Sequence, residues 1–141
     1  ALGKKLAIVT TTRRRNIDVY ASQNESMIAA APLSEIMDLI VTRDDVAHVK
    51  PDPEGFYKVL DALKAEPEEC IMVEDALPGI RGAMSAGIDS VVIEERHNAD
   101  DRVQLEAAAL ARFASPAALL KGIQAEIEAA AGGIHCMRSS S

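Results

Sequence analysis

Four short runs of β-branched and aliphatic residues, at 6–10, 38–42, 70–74 and 90–94, punctuate the chain at strand length. Between them the pattern turns helical: Phe56, Val59, Leu60 and Leu63 recur at i, i+3, i+4 and i+7, which places them on one face of a helix. Asp52 is placed to cap that helix, with Pro53 in its first position, where the missing N–H costs nothing. A second helix is predicted from about Pro78. It should bury Ile80, Ala83 and Met84 and stop at Gly87, a residue suited to a left-handed C-terminal cap. Strands alternating with helices imply right-handed crossovers, hence an α/β fold with a parallel sheet and helices on both faces. From about Asp100 the chain becomes alanine-rich. Leu105, Ala108, Ala109 and Arg112, then Ala117, Leu120, Ile123 and Ile127, read as one or two packing helices. The glycine pair at 132–133 and the closing serines predict a flexible tail over 132–141, leaving 1–131 as the domain. His135 beside Cys136 is too little for a metal site.

With 141 residues, one domain is the expectation, and two Phe, two Tyr and no Trp mean that aliphatic side chains must build its core. A net charge of −7 argues against a nucleic-acid surface, which needs a basic face, but leaves room for a local basic group facing a small anion. Cys70 and Cys136 have no CxxC spacing, as fits a reducing compartment, so a cytoplasmic location is expected. No apolar run reaches the roughly 18 residues of a membrane span. Ala1 stands where a Met is usual and a strand follows within a few residues, as expected of a fragment that starts inside a domain.

In open parallel sheets ligands bind beyond the carboxyl ends of the strands, so the residues leaving each strand carry the candidate chemistry. The first exit is Thr10-Thr11-Thr12-Arg13, read as the start of a helix. There the Thr10 hydroxyl and the N–H groups of Thr11 and Thr12 could bind a phosphate, aided by the helix dipole. The basic run Arg13-Arg14-Arg15 is read as a solvated first helical turn. At the second exit, Pro51 holds Lys50 out of helical geometry, aiming a point charge. The third exit, Glu74-Asp75, offers hard oxygen ligands suited to Mg2+.

Taken in order, these clusters resemble the haloacid dehalogenase superfamily, in the group of beta-phosphoglucomutase and phosphoglycolate phosphatase. The resemblance runs from about Leu6 to Ile93. It is most specific in Lys50-Pro51-Asp52-Pro53-Glu54-Gly55-Phe56 and in residues 68–80, with Glu74-Asp75-Ala76-Leu77-Pro78-Gly79-Ile80 at their centre. It implies a Rossmann-like three-layer core in which Thr10 holds the transferred phosphoryl group, Lys50 balances its charge, and Glu74 and Asp75 help hold Mg2+. The implied activity is phosphatase or phosphomutase chemistry on a small phosphorylated metabolite, through an aspartyl-phosphate.

The same resemblance predicts a first motif, Asp-x-Asp, that has no counterpart ahead of Thr10. Asp18, Asp44-Asp45 and Asp100-Asp101 fit neither its spacing nor its position, so the chain is expected to be inactive alone. The cap domain normally inserted after that motif is missing with it. In the family the missing strand lies between those ending at Thr10 and Glu74, so an unfilled slot would strand backbone groups at about 1–3 kcal/mol each if buried. The expectation is that the two strands pair directly, that the chain self-associates across the gap, or that the strand is supplied from elsewhere. Two other readings stand beside this one. A non-catalytic scaffold would keep the fold without chemistry. A receiver-type signalling domain would place its acidic pair first and its lysine last, the reverse of the order here.

Overall fold

The computed structural model describes residues 3–94 and 101–138. The chain first forms β1 (Ala7–Val9), then α1 (Arg14–Ser22), α2 (Glu25–Ala30) and α3 (Leu33–Ile36), and returns to β2 (Leu39–Val41). These two strands pair in parallel, Ile8 opposite Ile40, and the pairing is framed at its start by Asp38, whose carboxylate accepts the Leu6 N–H at 2.8 Å. After α4 (Glu54–Leu63) come β3 (Ile71–Glu74), α5 (Leu77–Ser85), β4 (Asp89–Ile93), α6 (Arg102–Ala108), β5 (Ala111–Phe113) and α7 (Pro116–Arg138). β3, β4 and β5 form a second parallel sheet in that order. The fold is the expected parallel α/β class.

β1 and β3 do not pair, so direct closure of the slot is corrected: each keeps an edge without a strand partner among the described residues. One core nevertheless spans both sheets. Phe56 of α4, only 2% exposed, packs with Ala83, Ala86 and Ile88, and both Val9 of β1 and Met72 of β3 lean on that cluster. Bulky side chains shared between the sheets hold the two edges against the same helices without bringing them to pairing distance. The feared desolvation penalty applies to buried groups only. Here Ile71 and Val73 are 58% and 42% exposed, so water reaches the β3 edge. A second core forms from Leu77, Ile80, Val92 and Leu105.

Several local expectations shift. Pro53, rather than Asp52, is the residue preceding the first turn of α4, but Asp52 still serves the helix start because its Oδ1 accepts the Glu54 N–H at 2.9 Å. α5 closes as expected: its last residue is Ser85, and Gly87 just beyond takes φ +77, a left-handed geometry that a Cβ disfavours. Met84, however, is exposed, because past Leu77 the buried face of α5 runs through Gly79, Ile80, Gly82 and Ala83, and Met84 lies to one side of it. Arg112 lies in a strand, not a helix. Leu110 N donates to Ser90 O and Glu94 N to Phe113 O, so pairing with β4 overrides the helical tendency of the alanine-rich flanks. Leu120, Ile123 and Ile127 are exposed on α7, so they are not the packing stripe expected. α7 continues to Arg138, into the segment expected to be a tail, since an alanine-rich helix tolerates its glycine pair. The side chains of His135 and Cys136, and Asp100, lie outside the described ones.

Candidate active site

The carboxyl ends of β1 and β3 carry the predicted polar residues, and Lys50 joins them. Lys50 arrives on the connection between β2 and α4, directly before Pro51. It lines one pocket with Thr10, Thr42, His48 and Asp52 over a floor of Val9, Val41 and Val46. From the same position its Nζ donates to Glu74 Oε2 at 2.7 Å, with the two side chains only 14% and 9% exposed. Lys50 thus lines the Thr10 pocket while its ammonium holds a carboxylate at the end of β3. Asp75 follows Glu74 as the chain leaves β3, with its N–H 3.3 Å from Glu74 Oε1, and is itself exposed.

The threonine run differs in detail from the expectation. α1 begins at Arg14, so Thr10, Thr11 and Thr12 precede the helix instead of opening it. Thr10 Oγ1 accepts the Thr12 N–H at 3.1 Å, which turns that N–H onto the loop itself; the Thr10 hydroxyl proton is still available to donate. Thr11 is exposed beside them.

Nor is the arginine run only a solvated turn. Arg14 donates to Ile40 O at 2.7 Å and to Asp45 Oδ2 at 2.6 Å, pinning α1 to the end of β2. Asp45 also accepts from the buried Thr42 hydroxyl at 2.6 Å, and these bonds, with Thr42 first, hold its carboxyl below the usual carboxylate range. Asp44 accepts the Arg14 N–H. Sequence reasoning missed this brace; a Thr three residues before an Asp, the pattern of a capping box, was the signal available.

Two groups compete for a cation. The residues fit Mg2+ at the end of β3 through Asp75, an exposed hard-oxygen donor; Mg2+ needs only one or two protein carboxylates beside waters and a phosphate oxygen. Glu74, the other carboxylate expected at that site, has one oxygen bonded to Lys50. His48, Asp52 and Glu54 bring ligand atoms within 4.8 Å of one another. Yet Glu54 already accepts the N–H groups of Ala47 and His48 and lies 3.3 Å from the Lys58 ammonium, and this trio anchors the loop to α4. Those backbone donors, and Lys58 after them, hold the Glu54 carboxyl at about 2.

A parallel α/β fold with a threonine and an acidic pair at its strand ends, and a lysine on the connection beside them, is the setting of the family match. The chain belongs to the haloacid dehalogenase-like hydrolases, whose family model matches residues 1–93. It is 40% identical over 91 residues to the pyrophosphatase PpaX of Bacillus mycoides (strain KBAB4), covering 64% of this chain and 39% of that protein. The chain therefore spans well under half the length of that relative. Among solved structures, it is similar to a putative beta-phosphoglucomutase from Thermotoga maritima, at 31% identity and TM-score 0.69, over 85% of this chain and 52% of that one. It is also similar to CbbY from Rhodobacter sphaeroides in complex with phosphate, at 31% identity and TM-score 0.64, over 80% and 47%. Among the described residues no helix is long and apolar enough to cross a membrane.

Proposed function

We propose that this chain is the phosphate-binding part of a cytoplasmic, Mg2+-dependent phosphatase or phosphomutase acting on a small phosphate ester. The observation carrying the reading is the placement of Lys50, which shares a pocket with Thr10 and pairs with Glu74 at the end of β3. In this reading Thr10 and Thr11 donate to the oxygens of the transferring group. Lys50 offsets its charge, and Asp75, supported by Glu74, holds the metal. Mg2+, when bound, would supply further charge neutralisation where phosphoryl transfer most needs it. An aspartate of the whole protein would attack phosphorus as the ester P–O bond breaks, and the alcohol would leave with a proton. Water or a sugar hydroxyl then takes the phosphoryl group from that aspartate. The phosphate in the CbbY complex and the pyrophosphatase name of PpaX favour a substrate rich in phosphate oxygens.

The test uses the whole protein with a chromogenic aryl phosphate and Mg2+. Lys50→Ala and Asp75→Asn should each lower turnover by roughly two orders of magnitude or more, the scale of losing one preorganised charge-stabilising contact. Unchanged rates in both variants overturn the site assignment. The chain alone should show no turnover, because the aspartates weighed for the first motif do not replace it: Asp44 and Asp45 are bound to Arg14, and Asp18 is exposed on α1. That observation also favours a second reading, a scaffold that keeps the fold without chemistry. Metal-dependent turnover by the chain alone rules the scaffold out.

We extend the proposal to the partner of the unpaired β1 and β3 edges: a strand of the whole protein or, in its absence, a second copy of the chain. Exposed apolar strand edges template such pairing. Concentration-dependent association in sedimentation would support the second arm, and a monomer at every concentration would remove it.

A further inference from the structure

Glu74 leaves β3 and folds back over the first turn of α5, where it meets Gly79. A Cβ added at Gly79 would stand 2.0 Å from Glu74 Oε2, 2.3 Å from Cδ and 2.5 Å from Cγ. Ordinary carbon contacts lie at about 3.5–4.0 Å, so no residue with a side chain fits while Glu74 keeps its position. The backbone does not explain the glycine. Gly79 has no left-handed φ, whereas Gly87 at the end of the same helix does, and glycine inside a helix weakens it relative to alanine. The obstruction is also unlike ordinary helix packing. The three nearest atoms all belong to the Glu74 side chain, and none to the core clusters around Phe56 or Leu77.

We propose that Gly79 is a positioning residue: its bare Cα is the seat on which the Glu74 carboxylate rests, and that seat fixes where Glu74 holds the Lys50 ammonium. A side chain at 79 would drive Glu74 Oε2 from its place 2.7 Å from Lys50 Nζ. Lys50, released from a mostly buried pair, would then turn toward solvent. The choice of glutamate at 74 and the choice of glycine at 79 are therefore one choice. A shorter acid at 74 should need the glycine less. The geometric claim stands on these contacts alone, and only its catalytic consequence rests on the phosphoryl-transfer reading.

The experiment compares the whole protein with Gly79→Ala, Glu74→Asp and the double variant. Acylation of Lys50 by acetic anhydride is followed by mass spectrometry, with thermal melting alongside. Gly79→Ala should speed Lys50 acylation at least about threefold, within the coupling range of residues in contact, and do so far less in the Glu74→Asp background, whose carboxylate is one methylene shorter. Equal acceleration in both backgrounds, or none in either, overturns the proposal. If Gly79→Ala fails to fold, recovery of cooperative melting in the double variant supports the seat, and a double variant that also fails to fold overturns it. Turnover is read separately. A fall in kcat with KM for the ester little changed ties the seat to catalysis. Displaced Lys50 with unchanged kcat keeps the seat and removes the phosphoryl-transfer role of the lysine.

Discussion

Lys50 Nζ lies 2.7 Å from Glu74 Oε2 although β1–β2 and β3–β4–β5 share no strand pairing, so this ion pair is a polar link between two sheets that no backbone ladder joins. Both partners are largely shielded from water, at 14% and 9% exposure, and shielding cuts two ways. It strengthens their attraction, and it makes either charge expensive to leave alone.

Lys50→Ala should therefore destabilise the chain by about 1–3 kcal/mol, mostly as the penalty of a stranded carboxylate rather than as lost attraction. Adding Glu74→Gln to that variant should return part of the loss, because the remaining group is neutral. Urea unfolding of the three chains gives the comparison. A double variant less stable than Lys50→Ala would show that the pair is not what the single substitution breaks.

Phe56 joins the sheets from the apolar side as Lys50 does from the polar side, since Val9 and Met72 both pack on its cluster. Phe56→Ala should cost about 3–5 kcal/mol, a large part of the roughly 5–15 kcal/mol typical of a domain. Phe56→Leu, which keeps most of the volume, should cost less than about 1.5 kcal/mol. Thermal melting checks both. A small loss for the alanine variant would mean that the two sheets are stabilised independently.

Much of this was legible because short β-branched runs and polar strand exits are local signals. The runs at 6–10 and 38–42 contain β1 and β2, and Thr10, Lys50 and Glu74 could be ordered without knowing any contact. What failed was decided by partners distant in sequence. β5 is a three-residue strand in alanine-rich surroundings, made only by its register with β4, where Val92 faces Arg112. Met84 matched helical spacing, but the core contacts of α5 are taken by a face that includes Gly79 and Gly82, and Met84 is left to one side of it. At the site, the sequence placed Glu74 and Asp75 together at the end of β3 but did not show that Glu74 pairs with Lys50 and folds over Gly79, contacts that no spacing rule encodes.

Thr42 is wholly buried, and its hydroxyl is satisfied by Asp45, which also receives Arg14. Asp45→Ala should cost about 1–3 kcal/mol by orphaning that hydroxyl, and adding Thr42→Val should recover part of it. Chemical unfolding of the single and double variants measures the difference. Amide exchange at residues 14–22 should quicken in Asp45→Ala, because the same change frees Arg14 from one of its two anchors.

Glu54 gives the chain a defined acid sensitivity. The N–H groups of Ala47 and His48, then Lys58, lower its carboxyl from the ordinary 4.5 to about 2. The folded state thus binds this proton less readily than the unfolded chain does. The stabilisation is complete above pH 4.5 and is lost as pH falls from there toward about 2. Glu54→Gln keeps a carbonyl acceptor but has no charge to titrate. The stability gap between the two proteins should be widest near neutral pH, narrow through that acidic window and stay flat above it. Because the Lys58 pair is exposed, part of the gap should also shrink with added salt, whereas the backbone hydrogen bonds should not respond. Urea midpoints taken from neutral pH downward at two salt concentrations separate the contributions. A gap that stays constant through the acidic window would show that the Ala47 and His48 donors do not favour the ionised carboxylate.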